Sequence, residues 1–181
     1  MLLAVDVGNT NVKFGVVDGE EIAAHWRVAT NRSSMPDEWW VVINTLANAD
    51  SIDLTRIDGA VLSSSVPSVT PWLSGMVRDR LGVEPLIVDA ATDMGIVVDI
   101  DNPKEVGPDR LVDAAAAFSR YGGPVLVLDF GTATTINVVT RDGRFVGGAI
   151  APDIRAAHDA LVAKAARLTS VDLVFPERVI G

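Results

Sequence analysis

Two stretches of the chain carry the residue types of phosphate chemistry at matching spacing: LLAVDVGNTNVKFGVVDGE, starting at Leu2, and PVLVLDFGTATTINVVTRDGR, from Pro124 to Arg144. In each, an apolar run ends in an aspartate, Asp6 or Asp129, with a glycine two positions on, Gly8 or Gly131. Asn9 and Thr10 follow in the first copy, and Thr132, Thr134 and Thr135 in the second. Turn N–H groups and threonine hydroxyls are donors for anionic oxygens, and glycine lets a bound group approach the backbone. A carboxylate repels a phosphate, so a cation between them is the natural reading for Asp6 and Asp129. Lys13, just inside the second run, could reach a phosphate as a mobile cation. A plainer reading stands beside this one. Asp-x-Gly-x-Thr suits any hairpin turn, threonine suits strands, and Lys13 can be a solvated strand lysine. Two copies with matching flanks favour the phosphate reading.

A third stretch, DNPKEVGPDRLVDA from Asp101, has a different character. Gly107-Pro108 breaks the chain before a helix, which puts Asp109 at or near the helix N-terminus with Arg110 beside it. Taken alone, Asp109 is an N-cap and Arg110 a surface charge.

The elements that must hold these residues follow from periodicity. Residues 2–7, 11–18 and 21–29 read as strands, the last two joined at Asp18-Gly19. Residues 36–49 read as a helix with Pro36 in its first turn and Trp39, Val42, Ile43 and Leu46 on one stripe. A buried strand over 57–65, a helix over 69–81 with Trp72, Leu73, Met76, Val77 and Leu81 near helical spacing, and a short strand over 85–88 come next. A helix within 105–122 carries Asp109. The second half repeats the pattern with strands near 125–129, 134–139 and 144–150, Asp142-Gly143 as a turn, a helix over 153–167 and a strand over 171–175. This is a mixed α/β chain. The expected division is a first domain over 1–115 and a second, incomplete one over 116–181.

Composition narrows the function. Of 181 residues, 49% are hydrophobic and 22% charged, enough apolar content for a folded core. The formal net charge of −9 argues against nucleic acid or an anionic membrane as partner. With no cysteine, disulfides, thiolate catalysis and Cys-based zinc sites are excluded, and His25 and His158 are the only imidazoles. The opening run is too short for a signal peptide and no run reaches the length of a membrane span, so a cytoplasmic location is expected. Neither a G-x-x-x-x-G-K-[ST] nor a G-x-G-x-x-G pattern occurs.

DVGNTNVKFG, DNPKEVGPDRLVDA and DFGTATT followed by GGAIAP, in this order, resemble the type III pantothenate kinases, a branch of the acetate kinase, sugar kinase, heat-shock chaperone and actin superfamily. The resemblance implies actin-like (ribonuclease H-like) duplicated domains and ATP-dependent phosphorylation of pantothenate, the first step of coenzyme A biosynthesis. It implies Asp109 as general base, Arg110 with Gly107 at the pantothenate, and the two turns at the nucleotide phosphates. Asp6 is implied to hold Mg²⁺ and Asp129 to lie near the metals, including a monovalent cation, K⁺ or NH₄⁺. A homodimer is implied too. The chain departs from the family pattern at Ile100, Asp153, Arg155 and His158, and it stops earlier than the family does. The rival expectation is therefore a truncated, catalytically silent relative that binds nucleotide, phosphate or a partner protein.

Overall fold

The computed structural model describes residues 1–165 and positions 172, 174, 175, 177 and 178. The chain opens with a meander of β1 (Leu2–Val7), β2 (Asn11–Asp18) and β3 (Glu21–Ala29), antiparallel throughout. Alternation decides its faces. Leu3, Val5 and Val7 of β1 and Val12, Phe14 and Val16 of β2 are buried on one side, while Ala4, Asp6, Lys13 and Gly15 take the other. Helix α1 (Pro36–Ala49) starts where Pro36 can sit without losing a bond, and Glu38 reaches back to accept from the Met35 N–H at 2.7 Å. Its buried stripe, Trp39, Ile43 and Ala47, packs on the apolar face of the sheet.

Strand β4 (Gly59–Ser64) returns parallel to β1, and α2 (Thr70–Leu81) follows, ended by Gly82 in the left-handed region. Leu73, Met76 and Val77 of α2 close the first core; Trp72, expected on that stripe, stays partly in solvent. Strand β5 (Leu86–Ile87) completes a five-stranded sheet of order β3-β2-β1-β4-β5.

A second sheet has order β6-β9-β8-β7, built from β6 (Val97–Val98), β7 (Val125–Phe130), β8 (Ala133–Val139) and β9 (Arg144–Pro152). Strand β6 had no sequence signal beyond two valines. It forms because β9 offers a parallel edge at Arg144 and Phe145. Helix α3 (Pro108–Tyr121) lies between the two sheets, against β4 on one side and β7 and β8 on the other. Leu111 and Ala114 turn toward the second sheet and join Val139 and Phe145 in a smaller core. On the opposite side of that sheet Leu126, Leu128 and Phe130 are exposed. Helix α4 (Ile154–Lys164) is capped by Asp153, whose side chain accepts from the Ala156 N–H at 2.9 Å. The helix expected to reach 167 is described to Lys164; residues 171 and 173 of the expected 171–175 strand lie outside the described residues.

The close contact of β8 and β9 rests on Gly148, where a Cβ would run into the carbonyl of Ile136. Gly75, inside α2, has no atom near the corresponding position. Gly148→Ala is expected to cost about 2–3 kcal/mol, whereas Gly75→Ala should add about 0.5–1 kcal/mol through helix propensity. Urea unfolding midpoints at unchanged slope check both.

Candidate functional site

The two Asp-x-Gly turns meet at the seam between the sheets. Thr10 and Thr132 share a hydrogen bond of 2.9 Å between hydroxyls 122 residues apart in sequence. Each turn is closed by its glycine: the Gly8 N–H donates to the Asn11 carbonyl at 2.9 Å and the Gly131 N–H to the Ala133 carbonyl at 3.0 Å. Neither glycine has a positive φ, so the requirement is space and not backbone handedness. A Cβ would lie 3.2 Å from the Asn11 carbonyl oxygen at Gly8, and 3.2 Å from Asp129 Oδ2 at Gly131. The first turn is further tied down. Thr30 Oγ1 donates to the Gly8 carbonyl at 2.7 Å and Arg32 to Asn9 Oδ1 at 2.9 Å.

Asp6 sits at the seam end of β1 and faces the α3 side of the first sheet. Its Oδ2 accepts from Lys13 Nζ at 2.9 Å, directly across the β1–β2 ladder, while Oδ1 is buried with no partner. Lys13, read as a mobile cation, is thus held by a carboxylate here. Beside the pair lies an open cavity of about 370 Å³ whose floor and walls are largely apolar, with Ala4, Gly15, Val17, Ile22, Val61 and Val112 among them. The pair itself remains partly in solvent, which screens it. Ser63, Asp6's neighbour on β4, is buried at this cavity with its hydroxyl unbonded.

Asp109 is the second residue of α3. The N-cap is Gly107, not Asp109. The Asp109 carboxylate folds back over Gly107 so closely that a side chain there would collide with its Oδ1, and that same oxygen accepts from the Arg110 N–H at 3.0 Å. The glycine at 107 is therefore a condition of the aspartate's position. Arg110 is not a plain surface charge. It is half-buried, donating from Nε to Asn137 Oδ1 at 2.7 Å with its guanidinium 5.9 Å from the Phe145 ring centre.

Asp129 stands near the end of β7, opposite Thr135 of β8, and is exposed. Thr134 pairs with Phe130 and Ala151 in the same ladder, on the opposite face of the sheet from Thr135. The residues grouped by sequence as one second loop are thus split between two faces, because β8 already begins at Ala133.

The residue that joins the acidic groups had not been singled out from the sequence. Asp113, one helical turn after Asp109, has its carboxyl pushed up to about 6. Partial withdrawal from water is the largest cause; the charges of Asp129, Asp6 and Asp109 add to it and Lys13 offsets it in part. The side chain keeps a substantial exposed area, so part of this effect is screened. The available signal was the four-residue spacing from Asp109, which puts both carboxylates on one face of a helix. Among the described residues no three acidic or imidazole side chains close on one point tightly enough to hold a metal by themselves.

The departures from the family pattern have structural accounts in two cases: Ile100 packs into the second core and Asp153 caps α4. Ring nitrogen Nδ1 of His158 lies 3.1 Å from Asp159 on the same helix, and nothing in the structure explains Arg155.

The sequence pattern of the type III pantothenate kinases matches residues 2–181. A protein of that description from Thermomicrobium roseum is 49% identical over 181 residues, all of this chain and 70% of the relative. One from Moorella thermoacetica is 46% identical over the same span, 71% of its length. A solved Campylobacter jejuni structure assigned to the Baf family of transcriptional activators has a TM-score of 0.51 at 17% identity, covering 97% of this chain and 68% of that one; it is similar in fold.

An aspartate whose pKa is raised on folding opposes the folded state once it ionises. Between the ordinary value of 3.8 and about 6 the folded protein holds the extra proton, so stability falls as pH rises through that window. Asp113→Asn is expected to raise the melting temperature at pH 7.5, with the gain shrinking as the pH is lowered from about 6 toward 3.8. Thermal melts of both proteins across that range check it.

Proposed function

The chain belongs to the type III pantothenate kinase family, whose members phosphorylate pantothenate with ATP in coenzyme A biosynthesis, and from that premise we propose how its own residues divide the work. The reading rests above all on one observation: the turns that follow Asp6 and Asp129 are hydrogen-bonded together through Thr10 and Thr132, while helix α3, which carries Asp109, packs against both sheets. A terminal hydroxyl and a triphosphate can meet only where phosphate donors and a proton acceptor are close, and that seam supplies both.

Asp109 is the general base. Phosphoryl transfer needs the acceptor hydroxyl in line with the γ-phosphate and its proton taken late, which a carboxylate at the start of a helix can do. Arg110, beside it, takes the pantothenate carboxylate with its remaining N–H groups, and Gly107 leaves room for the base. The turns Gly8–Thr10 and Gly131–Thr132, with Asn9 and Thr135, receive the nucleotide phosphates. Thr134, on the other face of β8, supports the second turn through the ladder. Lys13 exchanges Asp6 for a phosphate oxygen when nucleotide enters.

The acidic seam also fits a divalent cation. The buried, unpartnered Oδ1 of Asp6 is an acceptor without a donor, and Mg²⁺ takes one or two carboxylates with water and phosphate completing its shell. Asp6 would hold it, with Asp129 nearby. Bound there, Mg²⁺ would offset phosphate charge and orient the β- and γ-oxygens. A monovalent cation, K⁺ or NH₄⁺, near Asp129, a homodimeric assembly and a cytoplasmic location complete the reading, each on the strength of the family alone.

The test is ADP release from ATP with Mg²⁺ and K⁺ or NH₄⁺, with and without pantothenate. Pantothenate-dependent release is expected, falling about 10²–10⁴-fold in Asp109→Asn with nucleotide affinity retained. Release from the folded protein that ignores pantothenate, or survives in Asp109→Asn, overturns the assignment.

A further inference from the structure

Asn137 is a primary amide with no exposed surface, placed at the centre of β8. Its cross-strand neighbours are Val127 and Gly148 and its surroundings are the apolar second core. Burying an amide is costly unless it is bonded, and an apolar residue would fill such a place at less cost. The amide is bonded, and to one group in particular. Its Oδ1 accepts from Nε of Arg110 at 2.7 Å, and its Nδ2 lies 3.4 Å from Thr135 Oγ1.

The geometry of arginine gives this bond its meaning. The guanidinium is a rigid plane with five donors, so fixing Nε and resting the plane by Phe145, 5.9 Å away, sets the direction of both Nη groups. An amide oxygen does this without cancelling the charge; a carboxylate at the same place would pair with the arginine and neutralise it. A hydrogen-bonded line thus runs from Thr135, across Asn137, to Arg110, next in sequence to Asp109.

We propose that Asn137 is a specificity-determining positioning residue, holding Nε of Arg110 so that both Nη groups remain charged and directed at the carboxylate of the acceptor. The inference rests on one part of the reading above, the placing of Arg110 at the acceptor carboxylate, and not on turnover. It assigns the preference for an acidic acceptor to a residue that does not touch substrate.

The experiment compares pantothenate with its neutral analogue, in which the carboxylate is reduced to an alcohol. Binding of each to wild-type protein, Asn137→Ala and Asn137→Asp is measured by calorimetry, alongside KM and kcat. Wild type should prefer pantothenate. Both variants should lose that preference by about tenfold or more, with the loss falling on pantothenate affinity and KM while the alcohol binds nearly as before. A merely structural role would weaken both ligands together. Asn137→Asp has almost the size of the native residue, so it carries the test if Asn137→Ala does not fold. Equal loss for both ligands, or an unchanged preference in a variant with native melting temperature, overturns the proposal. Because preference is read from binding, a wild type that prefers pantothenate without turning it over sinks the kinase reading and leaves this one standing. A wild type that shows no preference sinks the inference even if turnover is seen.

Discussion

Like charge brought together on rigid backbone is the constraint on which the rest of this molecule depends. Asp6, Asp109, Asp113 and Asp129 come from β1, α3 and β7 and converge on one seam, with Lys13 as the close countercharge. In a chain of formal net charge −9 nothing at long range relieves that repulsion. It persists because each carboxylate is fixed by structure formed for other reasons: two strand ladders and a helix start. Carboxylates held close together in this way disfavour an empty seam and favour one that takes up positive charge.

Helix α3 is the element that makes the convergence possible. One of its faces carries Leu111 and Ala114 into the second core, and another carries Asp109, Val112 and Asp113 toward the first sheet. Its position is fixed by the apolar face and its chemistry is presented by the polar one. Arg110, between them, reaches the second sheet by a part-buried bond to the buried Asn137. The first core, with two helices over its sheet, is much larger than the second. The better-packed half therefore holds Asp6 and the anchored first turn, while the second turn meets it through the Thr10–Thr132 hydroxyl pair.

Strands β1 to β3 and helices α1 and α2 could be read off the chain nearly to the residue, since alternation, an Asp-Gly turn, a proline at a helix start and helical spacing of apolar residues are local signals. The duplicated Asp-x-Gly pattern was equally local, and so were Asp109 and its glycine. Strand β6 was not legible, because two residues make a strand only when a neighbouring edge accepts them. Trp72 also escaped, since helical spacing says which residues share a face and not how far the opposing surface extends.

What the sequence determined by itself was the inventory: an α/β chain, two Asp-x-Gly turns, a helix headed by Gly-Pro-Asp-Arg, and membership of one family. Those features are written in neighbouring residues, where propensity and spacing act. Which acids share a field, that Lys13 is held by Asp6, that the two turns touch, and that a buried asparagine holds Arg110 were decided only by the tertiary structure. Each of these joins side chains on different strands or on helix and sheet. Such distances follow from how sheets and helix pack, and no local pattern encodes them.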